Sequence, residues 1–379
     1  MRSNGVSADP VLVRPTLAAV VTSYNYARYL RQALDSLLTQ TPPFDEIVVV
    51  DDGSTDDSLD VLAEYAGRLK VFSATNGGHF AACRLAVSKT VSDYIYTMDS
   101  DDHAAPGLVA RVHAALAGAP AKVQFQLCGV DAHGRSLSSV FPVYPAGYDS
   151  AAMRQDNSVL GFYICPPTSA NVFSREALAL LDLSTFEGRS SFDSAPNLAM
   201  PYLGEVVSIS EPLVFYRVHP GGDSDWCRPS VAQLARELRQ FDASWSQIVS
   251  VPGVPGRPFS RNGPLYVRER EMMMACMENR VFVGAPVWRF IAGLSGSHLP
   301  GRHKAVLCLW ALALLVPSRR LRDRSMRLKR SSLNRSRGLQ VVVNVLKNLH
   351  RAGRRAALRV GTDALPGVKA SPDLLEADV

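Results

Sequence analysis

The sequence predicts an α/β fold, a mainly parallel sheet flanked by helices, followed by a helical, basic C-terminal extension. Three observations carry this. Short apolar, β-branched runs alternate with helical patterns over the first 120 residues, a polar cluster stands at the end of each run, and basic residues crowd positions 302–359. Strands separated by helices of this length imply right-handed crossovers and parallel pairing.

The elements follow in order. Leu17–Thr22 reads as a strand and Ala27–Leu38 as a helix. Glu46–Val50 is a buried-strand run and Ser58–Tyr65 a helix; Lys70–Ser73 and Phe80–Thr90 repeat the pair, as do Asp93–Met98 and Gly107–Leu116. Beyond them the pattern mixes, with strands expected at Lys122–Cys128, Asn171–Phe173, Val206–Ile209 and Leu213–Tyr216. Val231–Phe241 and Arg268–Asn279 read as helices around a Pro/Gly-rich loop, Pro252–Pro264, and the basic region holds two more candidates, His303–Val316 and Leu339–Val360.

The 379 residues are 47% hydrophobic and 20% charged, enough for one large domain plus a smaller unit and too apolar for disorder. Six scattered cysteines (Cys83, Cys128, Cys165, Cys227, Cys276, Cys308) contain no CxxC pair, which argues against a zinc site or a disulfide framework and fits a reducing cytosol. Met1–Pro15 has no apolar run of the kind a signal peptide needs. The longest uncharged apolar stretch, Ala305–Val316, is about half of the ~20 residues a spanning helix requires, so an integral membrane protein is not expected.

Ligands of parallel sheets bind at the carboxyl ends of the strands, where the polar clusters sit. Asp99-Ser100-Asp101-Asp102 packs three carboxylates at one strand end. Such acids repel unless a cation neutralises them, and Asp99 and Asp101 can present oxygens to one hard divalent ion; the plain alternative is a solvated turn with helix-capping aspartates. In Asp51-Asp52-Gly53-Ser54-Thr55-Asp56-Asp57 the glycine turns the chain and Ser54, Thr55 or Asp56 can cap the next helix. That leaves Asp51 and Asp52, either of which can accept an N–H from a nucleotide base. Thr22-Ser23-Tyr24-Asn25 and Asn76-Gly77-Gly78 complete the rim. Neither GxGxxG nor GxxxxGK(S/T) follows the first strand, which excludes the dinucleotide and P-loop readings.

The segments VVTSYNYARYLRQALDSLLTQ, EIVVVDDGSTDDS, NGGHFAACRLAV and YIYTMDSDDHAAPGL, from Ala18 to Leu116, resemble the nucleotide-binding half of the family-2 inverting glycosyltransferases of GT-A fold, more weakly onward to His219. The resemblance implies a metal-dependent transfer of sugar from a nucleotide-sugar donor. Thr22 and Tyr24 would line the base pocket, Asp52 (or Asp51) would bond the base, and Arg84 stands where the family often has a basic residue near the donor. Asp99 would lie near the ribose, Ser100 beside it, and Asp101 on Mn2+ or Mg2+ with Asp102 in support. Glu211-Pro212-Leu213 and Tyr216-Arg217-Val218-His219 resemble the family's strand-and-histidine segment, which makes His219 a further metal or diphosphate contact. The family's general base maps to Asp193, with Glu187 as runner-up; where the family has an acidic pair this chain has Phe192-Asp193, and Asp193 also reads as a helix N-cap.

The implied organisation is a flexible tail (1–16), a GT-A catalytic domain (17–225, donor binding in 17–120 and the acceptor or catalytic part in 121–225), a helical extension (226–300), basic amphipathic helices (301–360) and a second flexible tail (361–379). Between Arg302 and Arg359 sixteen Lys/Arg face a single acid, Asp323. Leu339, Val342, Val343, Leu346, Leu349 and Ala356 share one helical face, with Lys347, Arg351, Arg354, Arg355 and Arg359 around the other, the pattern of a helix on an anionic membrane surface or of one packed on the catalytic domain. Nucleic acid is not expected, since no aromatic platform accompanies the charge. The expectation is a cytoplasmic enzyme, peripheral at the inner face of the membrane, that uses a UDP-sugar ahead of a dTDP-sugar and a glycan, lipid-linked or polymer acceptor. A non-catalytic nucleotide-sugar-binding scaffold and a sugar-1-phosphate nucleotidyltransferase are the rival readings.

Overall fold

The computed structural model describes residues 14–185, 192, 194–219, 230–251, 254, 256, 264–278 and 284–315. The sequence candidates Asp193 and Glu187 and the basic helix Leu339–Val360 lie outside them.

The first half alternates strand and helix: β1 (Leu17–Ser23), α1 (Ala27–Leu38), β2 (Glu46–Asp51), α2 (Ser58–Ala63), β3 (Lys70–Ser73), α3 (His79–Ser88) and β4 (Tyr94–Asp99). β1 pairs in parallel with β2 and β4, and β2 with β3. β1, β2 and β4 are largely apolar and buried because both their faces are covered, whereas β3 on the edge is exposed at both ends. Leu17, Ala19 and Val21 meet Leu30, Leu34 and Leu37 of α1 on one face, and Val20, Val48, Val50 and Ile95 meet Phe80 and Ala86 of α3 on the other.

The second half comprises β5 (His103–Ala104), α4 (Leu108–Ala115), β6 (Lys122–Asp131), β7 (Ser136–Phe141), α5 (Ser150–Leu160), β8 (Asn171–Ser174), α6 (Arg175–Ala179), α7 (Ser194–Leu203) and β9 (Val206–Val218). The sheet runs β3-β2-β1-β4-β8-β6-β9-β5, with β7 on the edge of β6. It is mixed: β8 runs antiparallel to both β4 and β6, while β6 and β9 are parallel. Two short strands expected near residue 210 form the single strand β9, whose register with β6 slips between Ile209 and Val214. Pro212 sits in that slip, where its missing N–H breaks the ladder without ending the strand.

A third core joins the C-terminal helices to this domain. Leu160 of α5 packs with α8 (Val231–Ile248), α9 (Leu265–Met277), α10 (Gly284–Leu294) and α11 (Gly301–Ala313), through Leu234, Leu265, Met272, Phe290 and Trp310 among others. Asp156, fully buried on α5, accepts the His298 N–H at 2.7 Å and the Tyr148 hydroxyl at 2.7 Å. That clamp ties the segment before α11 to the sheet domain. The candidate helix His303–Val316 is α11, and Trp310, Ala311 and Leu314 at its end are buried in this third core.

Candidate functional site

The in-register start of β1, β2 and β4 brings their polar ends to one edge. Thr22 lies opposite Asp99 across the β1–β4 ladder, and Ser23 opposite Asp51 across β1–β2. The loops there lock one another. Asn25 holds φ +59°, a left-handed conformation that asparagine tolerates, and its Oδ1 accepts the N–H groups of Thr55 (2.7 Å) and Asp56 (3.3 Å). Asp56 in turn accepts from Ala27 N–H at 3.0 Å, capping α1 from the neighbouring loop, and from Ser58 N–H at 3.0 Å.

The adjacent aspartates of β2 divide their work. Asp52 accepts the N–H groups of Gly77 and Gly78, both at 2.8 Å, and so fixes the loop before α3. Asp51 accepts the Ser54 N–H at 3.0 Å through Oδ2, and its buried Oδ1 has no hydrogen-bond partner. Gly53 between these loops has φ +75°, and a Cβ there would stand 2.9 Å from Asn76 N.

Asp99, Asp101 and Asp102 offer carboxylate oxygens that lie within 4.8 Å of one another. An imidazole faces each of the first two: His79 Nε2 is 2.9 Å from Asp99 Oδ1, and His219 Nε2 is 3.0 Å from Asp101 Oδ2. Asp102 is fully enclosed; Oδ1 accepts the Arg217 N–H at 2.7 Å, and Oδ2 is buried without a well-formed hydrogen bond. Burial first, then the Asp101 and Asp99 charges, push its carboxyl well above the usual carboxylate range. Buried like charges of this kind are relieved either by a proton or by a cation. Hard carboxylate oxygens with an imidazole beside them suit a hard divalent cation, and the poorly satisfied Asp102 Oδ2 fits the same reading. Ser23 Oγ and Ser100 Oγ are also buried without partners at this edge.

Arg217 holds the acid turn from behind. It is 4% exposed; Nε donates to the Asp101 carbonyl at 2.7 Å, Nη2 to Gln32 Oε1 at 2.8 Å, and Nη1 to the carbonyls of Asp131 (3.3 Å) and Ala132 (3.4 Å). Its guanidinium covers the Tyr29 ring at 4.4 Å. Burial, then this cation, lower the neighbouring His103 to about 4, so that ring is neutral near pH 7. His219 is wedged against Tyr26 and Tyr29, at 5.5 and 5.1 Å between centroids.

Of the sequence candidates, Thr22, Asp51, Asp52, Asp99, Ser100, Asp101, Asp102 and His219 share this edge. The ring of Tyr24 is 46% exposed beside it, and Arg84 is exposed on α3. Two residues escaped the sequence reading. Arg217 was quoted without a role, although a lone arginine in the apolar run Leu213–Val218 was the available signal. His79 left no signal, because the two partners that define its role, Asp99 and the Phe192 N–H, are 20 and 113 residues away.

Residues 18–178 match the model of the family described as glycosyl transferase family 2. An uncharacterised glycosyltransferase of Nostoc sp. is 27% identical over 212 residues, covering 54% of this chain and 65% of that protein. The chondroitin synthase of Pasteurella multocida is 37% identical over 98 residues, covering 25% of this chain and 10% of the synthase. The chain therefore spans less than two thirds of the length of these relatives. Among solved structures, S. aureus TarS 1–349 in complex with UDP-GlcNAc is 16% identical, with 85% of this chain and 92% of that chain covered and a TM-score of 0.49.

Proposed function

Because residues 18–178 match the model of glycosyl transferase family 2, we propose that this protein is a metal-dependent, inverting glycosyltransferase. It moves a hexosyl group from a nucleotide-sugar, UDP-linked ahead of dTDP-linked, to a glycan, lipid-linked or polymer acceptor. The observation that carries the reading is the convergence of Asp99, Asp101 and Asp102 with His219 at the carboxyl edge of the sheet. The local likeness to a polysaccharide synthase supports a role in cell-surface polysaccharide assembly.

Each residue has a task in that reaction. Thr22 and the half-exposed Tyr24 receive the base, and Asp51, with its unpartnered Oδ1, accepts the base N–H. Asp52 keeps the Gly77-Gly78 backbone open beside the donor through its two hydrogen bonds. Asp99 and Ser100 orient the ribose, and Arg84, exposed on α3, is the cation assigned to the donor. Asp101 and His219, supported by Asp102, would hold Mn2+ or Mg2+, which neutralises the diphosphate leaving group when bound. The base is assigned from sequence alone: Asp193, with Glu187 behind it, takes the proton of the acceptor hydroxyl. The new bond forms at the anomeric carbon as the bond to the diphosphate oxygen on the opposite face breaks, which inverts the configuration.

The setting is the cytoplasmic face of a membrane, with the basic run 302–359 on anionic lipid at roughly 1 kcal/mol per basic residue near the surface. Among the described residues no helix is long and apolar enough to cross a membrane.

Calorimetric titration with UDP, dTDP and GDP, each with and without Mn2+, tests the reading. Metal-dependent binding of one nucleotide, abolished by Asp101→Ala, is expected. Asp193→Asn is expected to bind donor and lose transfer. No binding of any nucleotide would leave the acidic cluster structural and remove the transferase reading.

A further inference from the structure

The two imidazoles that face the acid pair are not equivalent. His79 is the first residue of α3, and besides its Nε2 contact with Asp99 its Nδ1 accepts the Phe192 N–H at 3.2 Å. A ring nitrogen that accepts a hydrogen bond carries no proton, so the neutral ring has its proton on Nε2. That nitrogen donates to Asp99 Oδ1 and has no lone pair for a cation. The anchor is firm. Phe192 is fully buried against Phe80 and Phe173, at 5.5 and 6.4 Å between centroids. Cys83, one turn along α3, brings its Sγ to 3.5 Å of the same Nε2 and crowds the ring on that side.

We propose that His79 is a positioning residue for the donor site and not a ligand. Its N–H donation orients the Asp99 carboxylate, and its accepting nitrogen ties that carboxylate to the backbone at Phe192. The donor acid and the approach to α7 thus share one hydrogen-bonded strut. A hydrogen bond to the far side of a ligand-binding carboxylate fixes its orientation and so tunes affinity at one remove. The assignment rests on the donor-site reading above, because it gives Asp99 a donor to hold.

Two side chains separate the arms of the strut. The amide N–H of glutamine reaches the position of Nε2, whereas asparagine reaches only that of Nδ1. Mn2+-dependent binding of UDP to the full chain is measured by calorimetry for His79→Ala, His79→Asn and His79→Gln. Loss of one bond to a carboxylate predicts about a tenfold weakening in the alanine and asparagine variants. Glutamine should restore affinity to within about threefold. A role in folding alone would not sort the variants this way. Wild-type affinity in His79→Ala, or equal affinities for asparagine and glutamine, overturns the assignment. Urea denaturation of His79→Asn, Asp99→Asn and the double variant reads the bond without any ligand. Non-additive shifts in midpoint support the strut even if the wild type binds no nucleotide, in which case it is the donor-site reading that fails; additive shifts overturn the strut.

Discussion

Replacing Arg217 with methionine keeps an apolar, unbranched stem in a site that is 4% exposed and removes the guanidinium. Two short charge-assisted bonds go, to the Asp101 carbonyl at 2.7 Å and Gln32 Oε1 at 2.8 Å. With them go two longer bonds to the carbonyls of Asp131 and Ala132 and the cover over Tyr29. Bonds of the first kind contribute about 1.5 kcal/mol each and a desolvated ring contact about 1 kcal/mol. The relief of burying no charge offsets part of the loss, so the net cost is about 3 kcal/mol. A domain of ordinary stability survives that. The acid turn is expected to loosen, and metal-dependent nucleotide binding should fall more than about tenfold, since that ratio needs only about 1.4 kcal/mol of misplacement. Urea denaturation gives the first quantity and calorimetry, at a temperature where the variant is folded, the second. Arg217→Lys should fall between the two proteins. A methionine variant within about 1 kcal/mol of wild type, with undiminished nucleotide binding, would refute the claim that this cation holds the site.

Three further perturbations follow from the same geometry. Asp102→Asn removes a charge that burial and two neighbouring carboxylates disfavour while keeping an acceptor for the Arg217 N–H. Without metal the variant should be as stable as wild type or about 1 kcal/mol more so, and Mn2+-dependent binding should weaken; marked destabilisation by thermal melting would sink the like-charge account. Glu46 accepts from Lys70 Nζ, Ser92 Oγ and the N–H groups of Val91 and Ser92. Burial opposes its ionisation, yet these bonds hold its pKa down to about 2 from 4.5. A folded value below the unfolded one means stability that is present above about pH 4.5 and lost as pH falls toward 2, on the order of 2–3 kcal/mol. Glu46→Gln should flatten that acid limb, and an unchanged pH profile would contradict it. Gly53→Ala meets Asn76 N at 2.9 Å and Ala74 O at 3.2 Å from a φ of +75°; a cost of about 2 kcal/mol or more is expected, and a neutral melting temperature would show that the turn yields.

The repeating first half was legible because its signals are local. The boundaries of α1, Ala27–Leu38, and β3, Lys70–Ser73, follow from apolar periodicity over a few residues. Short elements were not: β5 is two residues long, and β7 is a half-exposed edge strand with little apolar pattern. Helices α5, α6 and α10 were also missed, and of α7 only the start was expected, from the N-cap reading of Asp193. For α7, Pro201 lies inside the helix, and such a residue ordinarily marks its end. The antiparallel insertion of β8 between β4 and β6 left no mark in the sequence either, since strand direction is set by how a chain returns to a sheet and not by its own residues.

The acid pattern at 99–102, the Asp51-Asp52-Gly53 turn and the lone histidine after β9 were visible in the sequence by themselves, because residue type and spacing carry them. Which aspartate of the second pair is committed to the backbone was not visible. Both look alike on paper, and only the fold brings Gly77 and Gly78 to Asp52 and leaves an oxygen of Asp51 unpartnered. The same holds for the two imidazoles and the guanidinium around the acids. His79, Arg217 and His219 meet their carboxylate and carbonyl partners across 20 to 118 residues of chain. Hydrogen bonds act over about 3 Å, and contacts that short between residues that far apart are decided by tertiary structure alone.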